Sequence, residues 1–416
     1  MRLHRNVKIR LSIVVVQFGV SALILPFLAI YFAKYYSAGV SGVIMIVTTF
    51  GSIASSFLAG YFSDKYGRKS ILIFGSLLRF ASAVVMVLAN FPGHVAPWLT
   101  AVGLFGINVG VGFQAPPLEA MVVDVTTEET RKRVYTLLYW LSNVALVIGT
   151  LLGAFLLQDY FFELAMFTAI VDFIAYLVIQ LFLVESASLV KKAKQSEPFI
   201  KGIISGYGSV FRDRTFLKYL CTLLLTMGLE KQLGKFISVR LGDEFQTTTL
   251  LGQSITGIKM FGLLSVENSI LAVVLTMFIA KWLEKIKITD RMQLFVGIFL
   301  FTLGFVVLAF ANNVWLLLLF MLVLSIGEIM YSPVENVVLA GITKEEMRTQ
   351  YMAANMLTGR ISTLIASVWL TISPLLHSWG MAILYGAMGL VAILIFNNIF
   401  NEQRKAKITS NVSVQD

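Results

Sequence analysis

Twelve apolar runs dominate this sequence of 416 residues. About 20 consecutive apolar residues are enough to cross the hydrocarbon core of a bilayer as a helix. The runs fall near 11–34, 40–62, 71–90, 97–121, 134–157 and 161–184, and then near 215–239, 264–283, 293–312, 314–340, 349–375 and 379–400. Because lipid offers backbone groups no hydrogen-bond partners, the spanning segments must be helical. We predict an all-α membrane protein whose twelve transmembrane helices form two pseudo-symmetric six-helix bundles.

A polar, lysine-bearing stretch separates the first six runs from the last six. We therefore expect an N-terminal bundle at 1–184, a cytoplasmic linker at 185–214, and a C-terminal bundle with a short tail at 215–416. An internal repeat supports the two halves, since five residues recur at one constant interval: Pro117 and Pro333, Glu119 and Glu335, Thr127 and Thr343, Glu129 and Glu345, and Tyr135 and Tyr351. Duplicated helical bundles are typical of secondary transporters.

The charge distribution predicts the orientation in the membrane. Most of the 33 Lys and Arg residues lie in the two tails, the linker and every second loop. The opposite side holds only a few bases: Lys34, Lys231, Lys235, Arg240 and Lys259. Since positive loops stay in the cytoplasm, we predict a multi-pass protein of the plasma membrane with both termini inside.

Composition narrows the function classes. With 57% hydrophobic and 13% charged residues, the chain is no soluble enzyme, and its net charge of +10 reflects membrane orientation rather than nucleic-acid binding. The single Cys221 and three scattered histidines give no metal-ligand spacing. We expect no catalytic site, metal or cofactor. The expected partners are an amphiphilic small molecule, protons and the bilayer, and we expect a monomer.

The loop between the second and third runs carries the most specific motif, Gly60-Tyr-Phe-Ser-Asp64-Lys-Tyr-Gly67-Arg68-Lys69. Gly60 would let neighbouring backbones approach, and Gly67 would permit a tight turn. This spacing resembles the signature loop of the major facilitator superfamily. Asp64 and Asp124 end their helices on the same side, and a bridge from either to Arg68 or Arg131 would form a cytoplasmic gate.

Charged residues inside the predicted helices need a partner or a function. Glu328 lies roughly 18 Å from the cytoplasmic end of helix ten at 1.5 Å per residue, and Arg360 in helix eleven lies at nearly the same depth. Either the two form a permanent salt bridge, or Glu328 exchanges a proton when they move apart; we favour exchange. Arg79 and Asp172 form a second depth-matched pair, predicted as a static bridge between outer helices.

Several polar and aromatic residues are candidates for lining a substrate cavity. Helix seven carries Glu230 and Lys231 near the midplane, and either of them facing the cavity remains an open alternative. The full candidate set combines these with Glu328 and with mid-helix residues of helices one, four and five: Gln17, Asn108, Gln114, Tyr139, Trp140, Asn143, Glu230, Lys231 and Glu328.

Several further stretches resemble one family, the lactococcal-type multidrug/proton antiporters. They are Pro92-Gly-His-Val-Ala-Pro97-Trp98, Leu138-Tyr-Trp140 with Asn143, Gly149–Gly153, and Gly327-Glu328-Ile-Met-Tyr331-Ser-Pro333. The resemblance implies export of amphiphilic, often cationic compounds in exchange for protons. It also implies proton-linked roles for Asp64, Asp124 and Glu328, and a basic residue at Arg360.

The sequence departs from that family at two places, and from many superfamily drug antiporters at a third. Leu138 and Gly234 stand where the family has acids, and 103–114 lacks the arginine of many superfamily drug antiporters. We predict a proton-coupled exporter working by alternating access. The alternatives are an uptake symporter, for instance for peptides, and a lipid flippase. Peptide symporters carry an acidic motif in helix one, and 11–34 contains no acid.

Overall fold

A computed structural model describes residues 5–126, 128–185, 212–250, 252–286, 288–343 and 348–412. The predicted linker therefore lies largely outside the described residues. Almost everything within them is helical, and two short antiparallel hairpins occupy loops: Asn90–Phe91 with His94–Val95, and Thr248–Leu250 with Gln253–Ile255. The sequence patterns predicted only loops at these hairpins.

The first half of the chain contains six helices. The first, α1, runs as Arg5–Ile24, passes through a 3₁₀ turn at Leu25–Phe27, and continues as Leu28–Tyr35. Pro26 lies in this turn, where it removes a backbone donor from the helix. The remaining helices are α2 (Ala38–Tyr66), α3 (Arg68–Ala89), α4 (Pro97–Val125), α5 (Glu128–Leu156) and α6 (Phe161–Phe182).

The second half begins with an interrupted helix, α7. It runs as Arg214–Glu230, forms a π-helical segment at Leu233–Ile237, and ends as Ser238–Glu244. The next helices are α8 (Gly257–Ile286), α9 (Asp290–Leu308) and α10 (Val314–Ile342). The last helical stretch, Arg348–Val412, is broken at His377, whose φ is 54°; its parts before and after His377 are α11 and α12.

The prediction of twelve membrane-spanning helices is confirmed. Nine stretches of the described residues are long and apolar enough to cross a bilayer. One of them, Leu357–Gln403, passes through the break at His377 and includes parts of both α11 and α12. The nine stretches therefore contain ten of the predicted helices. The other two are α5, whose apolar part is Trp140–Leu156, and the interrupted α7.

The contacts divide the chain into two compact units. The first comprises Met1–Glu197 and Thr249–Val266, and the second comprises Pro198–Thr248 and Glu267–Asp416. The first part of α8 thus groups with the first unit, whereas the sequence-based boundaries assign all of α8 to the second. Within the first unit α3 packs on α4 and α6, and α1 packs on α5; within the second, α9 packs on α10 and α12.

Two glycines of α5 explain how closely α1 and α5 pack. A Cβ added at Gly149 would lie 2.2 Å from the carbonyl oxygen of Gly19, and one at Gly153 would lie 2.3 Å from that of Leu23. Only glycine fits at such an approach. Small residues at helix interfaces are the usual means of close packing in a membrane.

Candidate functional site

The turn between α2 and α3 holds the signature motif. Gly67 has a φ of +92°, a conformation that residues with a Cβ rarely adopt. The backbone N–H of Lys69 donates a hydrogen bond of 2.9 Å to Oε2 of Glu185, just beyond α6. Glu185 therefore supplies an acceptor and a negative charge at the N-terminus of α3. Sequence reasoning missed it, because its position reads as the first residue of a linker.

Other parts of the predicted gate are placed differently or not at all. A Cβ added at Gly60 would meet no atom within 4 Å. The expectation that neighbouring backbones approach closely at Gly60 is therefore wrong, because Gly60 faces open space. Arg68 is half-buried. The side chains of Asp64, Asp124 and Arg131 lie outside the described part of the chain.

The first unit contains a cavity of about 440 Å³ between α1, α3, α4 and α5. Three predicted cavity residues, Gln17, Asn108 and Gln114, belong to its wall. Most of the lining is apolar: Val14, Phe18, Ala22, Leu25, Pro26, Val111, Ala115, Leu118, Leu138 and Leu146. The polar remainder is Arg10, Ser21, Arg79 and Glu119 with the three predicted residues.

Buried polar contacts fix the orientation of the cavity's polar side chains. Gln114 donates from Nε2 to the hydroxyl of Ser76 at 2.8 Å, and Asn108 donates from Nδ2 to the carbonyl of Leu104 at 3.0 Å. An Nη2 atom of Arg10 lies 3.1 Å from Oε2 of Glu119. The cavity therefore combines an apolar wall with a few oriented hydrogen-bonding groups, as small-molecule sites commonly do.

Arg79 and Asp172 are joined at 3.1 Å, with side chains only 7% and 1% exposed. Gln17 donates from Nε2 to the same Asp172 carboxylate at 2.7 Å, and Arg79 donates to the hydroxyl of Ser21 at 3.3 Å. Because Arg79 also lines the cavity, the expectation that α3 is only an outer support is corrected. The bridge links α6, through Arg79 and Gln17, to the cavity wall.

Two of the three predicted residues of α5, Trp140 and Asn143, do not join this lining. Trp140 is 53% exposed, and Asn143 is half-buried; neither lines the cavity of the first unit. The side chain of Tyr139 lies outside the described part of the structure. Leu138, which the sequence analysis noted as a departure from the related family, does line it.

In the second unit, Glu230 and Lys231 form an ion pair of 2.6 Å. Both side chains are partly exposed, at 37% and 35%. The pair lies where the first segment of α7 ends, immediately before the π-helical segment. Such irregular turns are frequent at functional sites.

Glu328 of α10 lies near residues of α7 and α8. The Asn268 side chain lies beside Glu328, and its Oδ1 accepts a hydrogen bond of 2.7 Å from Ser325. The nearby charges are those of Glu230 and Lys231.

The permanent Glu328–Arg360 salt bridge, which the sequence analysis gave as the less favoured of two alternatives, is not formed in this structure. Among the ion pairs between described residues, none joins these two side chains. Equal depth in the membrane specifies height along two helices but not the direction in which each side chain points around its helix. Glu328 points toward α7 and α8, and Arg360 is a half-buried residue of α11.

Two further acids of the second unit were not predicted as site residues from the sequence. Glu335 of α10 is only 8% exposed, and its Oε1 accepts a hydrogen bond of 3.2 Å from the hydroxyl of Thr226. Glu267 of α8 is half-buried, and its buried Oε2 accepts no hydrogen bond from the described residues. Glu335 does occur in the internal repeat as the counterpart of Glu119, but the repeat alone did not indicate a function for it.

Comparisons with known proteins agree with this architecture. The sequence model of the Major Facilitator Superfamily matches residues 11–266 and 247–411. A Na(+), Li(+), K(+)/H(+) antiporter of Planococcus maritimus is 29% identical over 380 residues, covering 88% of each chain. The multidrug resistance protein MdtH of Blochmanniella floridana is 25% identical over 339 residues, covering 80% of this chain and 78% of that protein.

Solved structures show the same fold. A crystal structure of the POT family transporter PepTSo matches with a TM-score of 0.71, covering 97% of this chain and 99% of that one at 14% sequence identity. A likeness at this identity concerns the fold and not the transported solute. Together with the family model, which spans nearly the whole chain, it shows that this protein belongs to the Major Facilitator Superfamily of membrane transporters.

Proposed function

We propose that this protein is a proton-coupled antiporter that exports amphiphilic small molecules in exchange for protons by alternating access. The observation that carries the proposal is the environment of Glu328. A carboxylate within a spanning helix lies beside the neutral amide of Asn268, while Lys231, whose charge acts on it, is already paired with Glu230. Because Glu328 takes part in none of the ion pairs between described residues, it can alternate between charged and protonated forms.

The solute class follows from the cavity of the first unit. Its predominantly apolar wall suits the hydrocarbon or aromatic part of a ligand, and Gln17, Asn108 and Gln114 offer hydrogen bonds to a polar group. The name of one relative supports this class, since it is a multidrug resistance protein. Asp64 and Asp124 remain proposed proton-linked acids at a cytoplasmic gate.

The location and orientation are also part of the proposal. A transporter of this family with the observed helices fits the plasma membrane. The bias of Lys and Arg toward the tails and every second loop favours both termini in the cytoplasm.

A second candidate is exchange of a monovalent cation for protons. The name of the Planococcus maritimus relative favours it, and so does the group of partly or largely buried acids in the second unit: Glu230, Glu267, Glu328 and Glu335. A small hydrated cation needs oxygen ligands and charge rather than an apolar wall. The two candidates therefore differ in the unit that would bind the solute.

Inside-out vesicles with an acidic lumen test the proposal. A cationic dye and, separately, Na⁺ are added to vesicles containing wild type, Glu328→Gln or the control Glu163→Gln, which changes an exposed acid of α6. We expect gradient-driven dye uptake by wild type and control, and uptake at the level of empty vesicles for Glu328→Gln. Uptake of Na⁺ alone would favour the second candidate. Undiminished uptake by Glu328→Gln would contradict the role of Glu328.

A further inference from the structure

The internal repeat extends to the helices that face Glu119 and Glu335. Glu119 of α4 and Glu335 of α10 are equivalent positions, and the same interval that separates them leads from Arg10 of α1 to Thr226 of α7. In the structure these four residues form two equivalent pairs. Arg10 contacts Glu119 at 3.1 Å, and Thr226 contacts Glu335 at 3.2 Å.

The two pairs differ in charge and burial. Glu119 has a guanidinium partner, and its side chain is 53% exposed. Glu335 is 8% exposed, and it takes part in none of the ion pairs between described residues. The pair in the second half therefore consists of a buried acid and a hydroxyl, whereas the pair in the first half consists of a partly exposed acid and a base.

This difference changes the chemistry available to the carboxyl group. A guanidinium only donates hydrogen bonds, so Arg10 can donate to Glu119 but cannot accept from it. A threonine hydroxyl both donates and accepts, so Thr226 can donate to a carboxylate and accept from a carboxylic acid. The Thr226–Glu335 contact can therefore persist in both protonation states.

The described titratable groups that act on Glu335 include no cation. Among the described residues, the titratable groups that act on Glu335 are Glu230 and Tyr219 of α7 and Tyr331 of α10. Glu328 lies seven residues before Glu335 on the same face of α10, roughly 10 Å away along the axis. At that separation the two carboxyl groups cannot share one proton, so each must be a separate site.

We propose that Glu335 is a second protonation site of this transporter, which takes up and releases a proton in addition to Glu328. Its part in transport rests on the proposed proton coupling. Its protonation does not, because it follows from the Thr226 contact and the burial within the second unit. Thr226 acts here as a positioning residue that accommodates both states of the carboxyl group.

Infrared difference spectroscopy on the purified full chain in lipid tests the proposal without any transported solute. The signal is the C=O stretching band of protonated carboxyl groups, followed from acid to alkaline pH. The variants are Glu335→Gln, Glu328→Gln and Thr226→Arg, with Glu119→Gln as the matched control in the other half of the repeat. Gln replaces Glu with nearly the same shape and can still accept from Thr226.

We expect Glu335→Gln and Glu328→Gln each to remove a separate part of the titrating band, and Glu119→Gln to leave that part of the band in place. Thr226→Arg should move the Glu335 part to more acidic pH, because it recreates the base found at Arg10. A spectrum of Glu335→Gln that matches wild type throughout would overturn the proposal. If Thr226→Arg does not fold, the comparison of Glu335→Gln with Glu119→Gln decides by itself.

The vesicle assay separates this inference from the proposed function. Gradient-driven uptake that persists in wild type while Glu335→Gln shows an unchanged band would refute the second site and retain the antiporter. A band lost in Glu335→Gln, together with wild-type vesicles that respond to no proton gradient, would support the protonation site and refute the antiport.

Discussion

At the residue scale, the buried polar contacts of the two units have different consequences. The Arg79–Asp172 bridge is a closed pair with almost no solvent access, and Gln17 and Ser21 share its hydrogen bonds. Separating such charges leaves one of them buried alone. Glu328, in contrast, takes part in none of the ion pairs between described residues, and we propose that it exchanges a proton. The bridge is thus structural, and Glu328 is suited to proton exchange.

If the Arg79–Asp172 bridge is structural, a single substitution in it should lower the free energy of unfolding more than the substitution of both residues. Asp172→Asn leaves the Arg79 guanidinium buried without its counter-ion and should lower the free energy of unfolding by about 3–5 kcal/mol. Arg79→Met combined with Asp172→Leu should recover most of that loss, because no charge remains buried. Unfolding in mixed micelles measures both.

An exposed pair of the second unit provides the control for this experiment. Lys218 and Glu402 lie 2.5 Å apart, with side chains 33% and 42% exposed. Lys218→Met should change the free energy of unfolding by no more than about 1 kcal/mol. A loss at Asp172→Asn as small as at Lys218→Met would show that the Arg79–Asp172 bridge does not hold α3 to α6.

Sequence reasoning reached these residues with partial success, for a geometric reason. Residue count gives the height of a side chain in the membrane, so Arg79 and Asp172 were correctly matched in depth. Height alone also matched Glu328 with Arg360, which the structure does not join. The direction around each helix depends on packing, and the partners Asn268 and Thr226 are ordinary polar residues of apolar runs with no signal of their own.

At the element scale, the helices are held by close approaches and by irregular segments. Gly149 and Gly153 bring α5 against the backbone of α1, and α1 itself changes to a 3₁₀ turn beside the cavity. The positions of these helices follow from the apolar runs. The π-helical segment of α7 and the hairpins were not predictable, because they depend on local hydrogen bonding rather than on hydropathy.

Two glycine substitutions should have opposite effects. Gly149→Ala places a Cβ 2.2 Å from the Gly19 carbonyl oxygen, and such overpacking should destabilise the protein by about 1–3 kcal/mol. Gly60→Ala meets no atom within 4 Å and should stabilise α2 by roughly 0.5–1 kcal/mol through helix propensity. Equal thermal stability of the two variants would contradict the close packing of α1 and α5.

The hydrogen bond from Lys69 to Glu185 should contribute to the start of α3. Glu185→Ala removes the acceptor of the Lys69 N–H and should cost about 0.5–2 kcal/mol, as the loss of a helix cap does. Glu185→Gln keeps an acceptor oxygen and should retain most of that stability. Chemical unfolding of both variants measures the difference, and a Gln variant as unstable as the Ala variant would instead assign the effect to charge at the helix N-terminus.

At the scale of the whole molecule, the sequence predicts more of the fold than of the site. Twelve apolar runs and the repeat around Pro117 and Pro333 were sufficient to predict a helical membrane protein in two halves, and the motif from Gly60 to Lys69 indicated the family. The repeat also contained the difference between Arg10 and Thr226, but its meaning depended on seeing which side chain each residue contacts. Two halves of similar fold can therefore differ in the partner of an equivalent acid through one residue, here Arg10 in the first half and Thr226 in the second.

Antiport as such makes a prediction about the sign of a pH change. In proteoliposomes without an initial pH gradient, and with the membrane potential clamped, an external cationic dye that enters the lumen must drive protons out. A trapped pH indicator should therefore report an alkaline shift for wild type and none for Glu328→Gln. An acidic shift would mean that dye and protons move together, and no shift during dye entry would mean that transport is not coupled to protons; either result would contradict proton antiport.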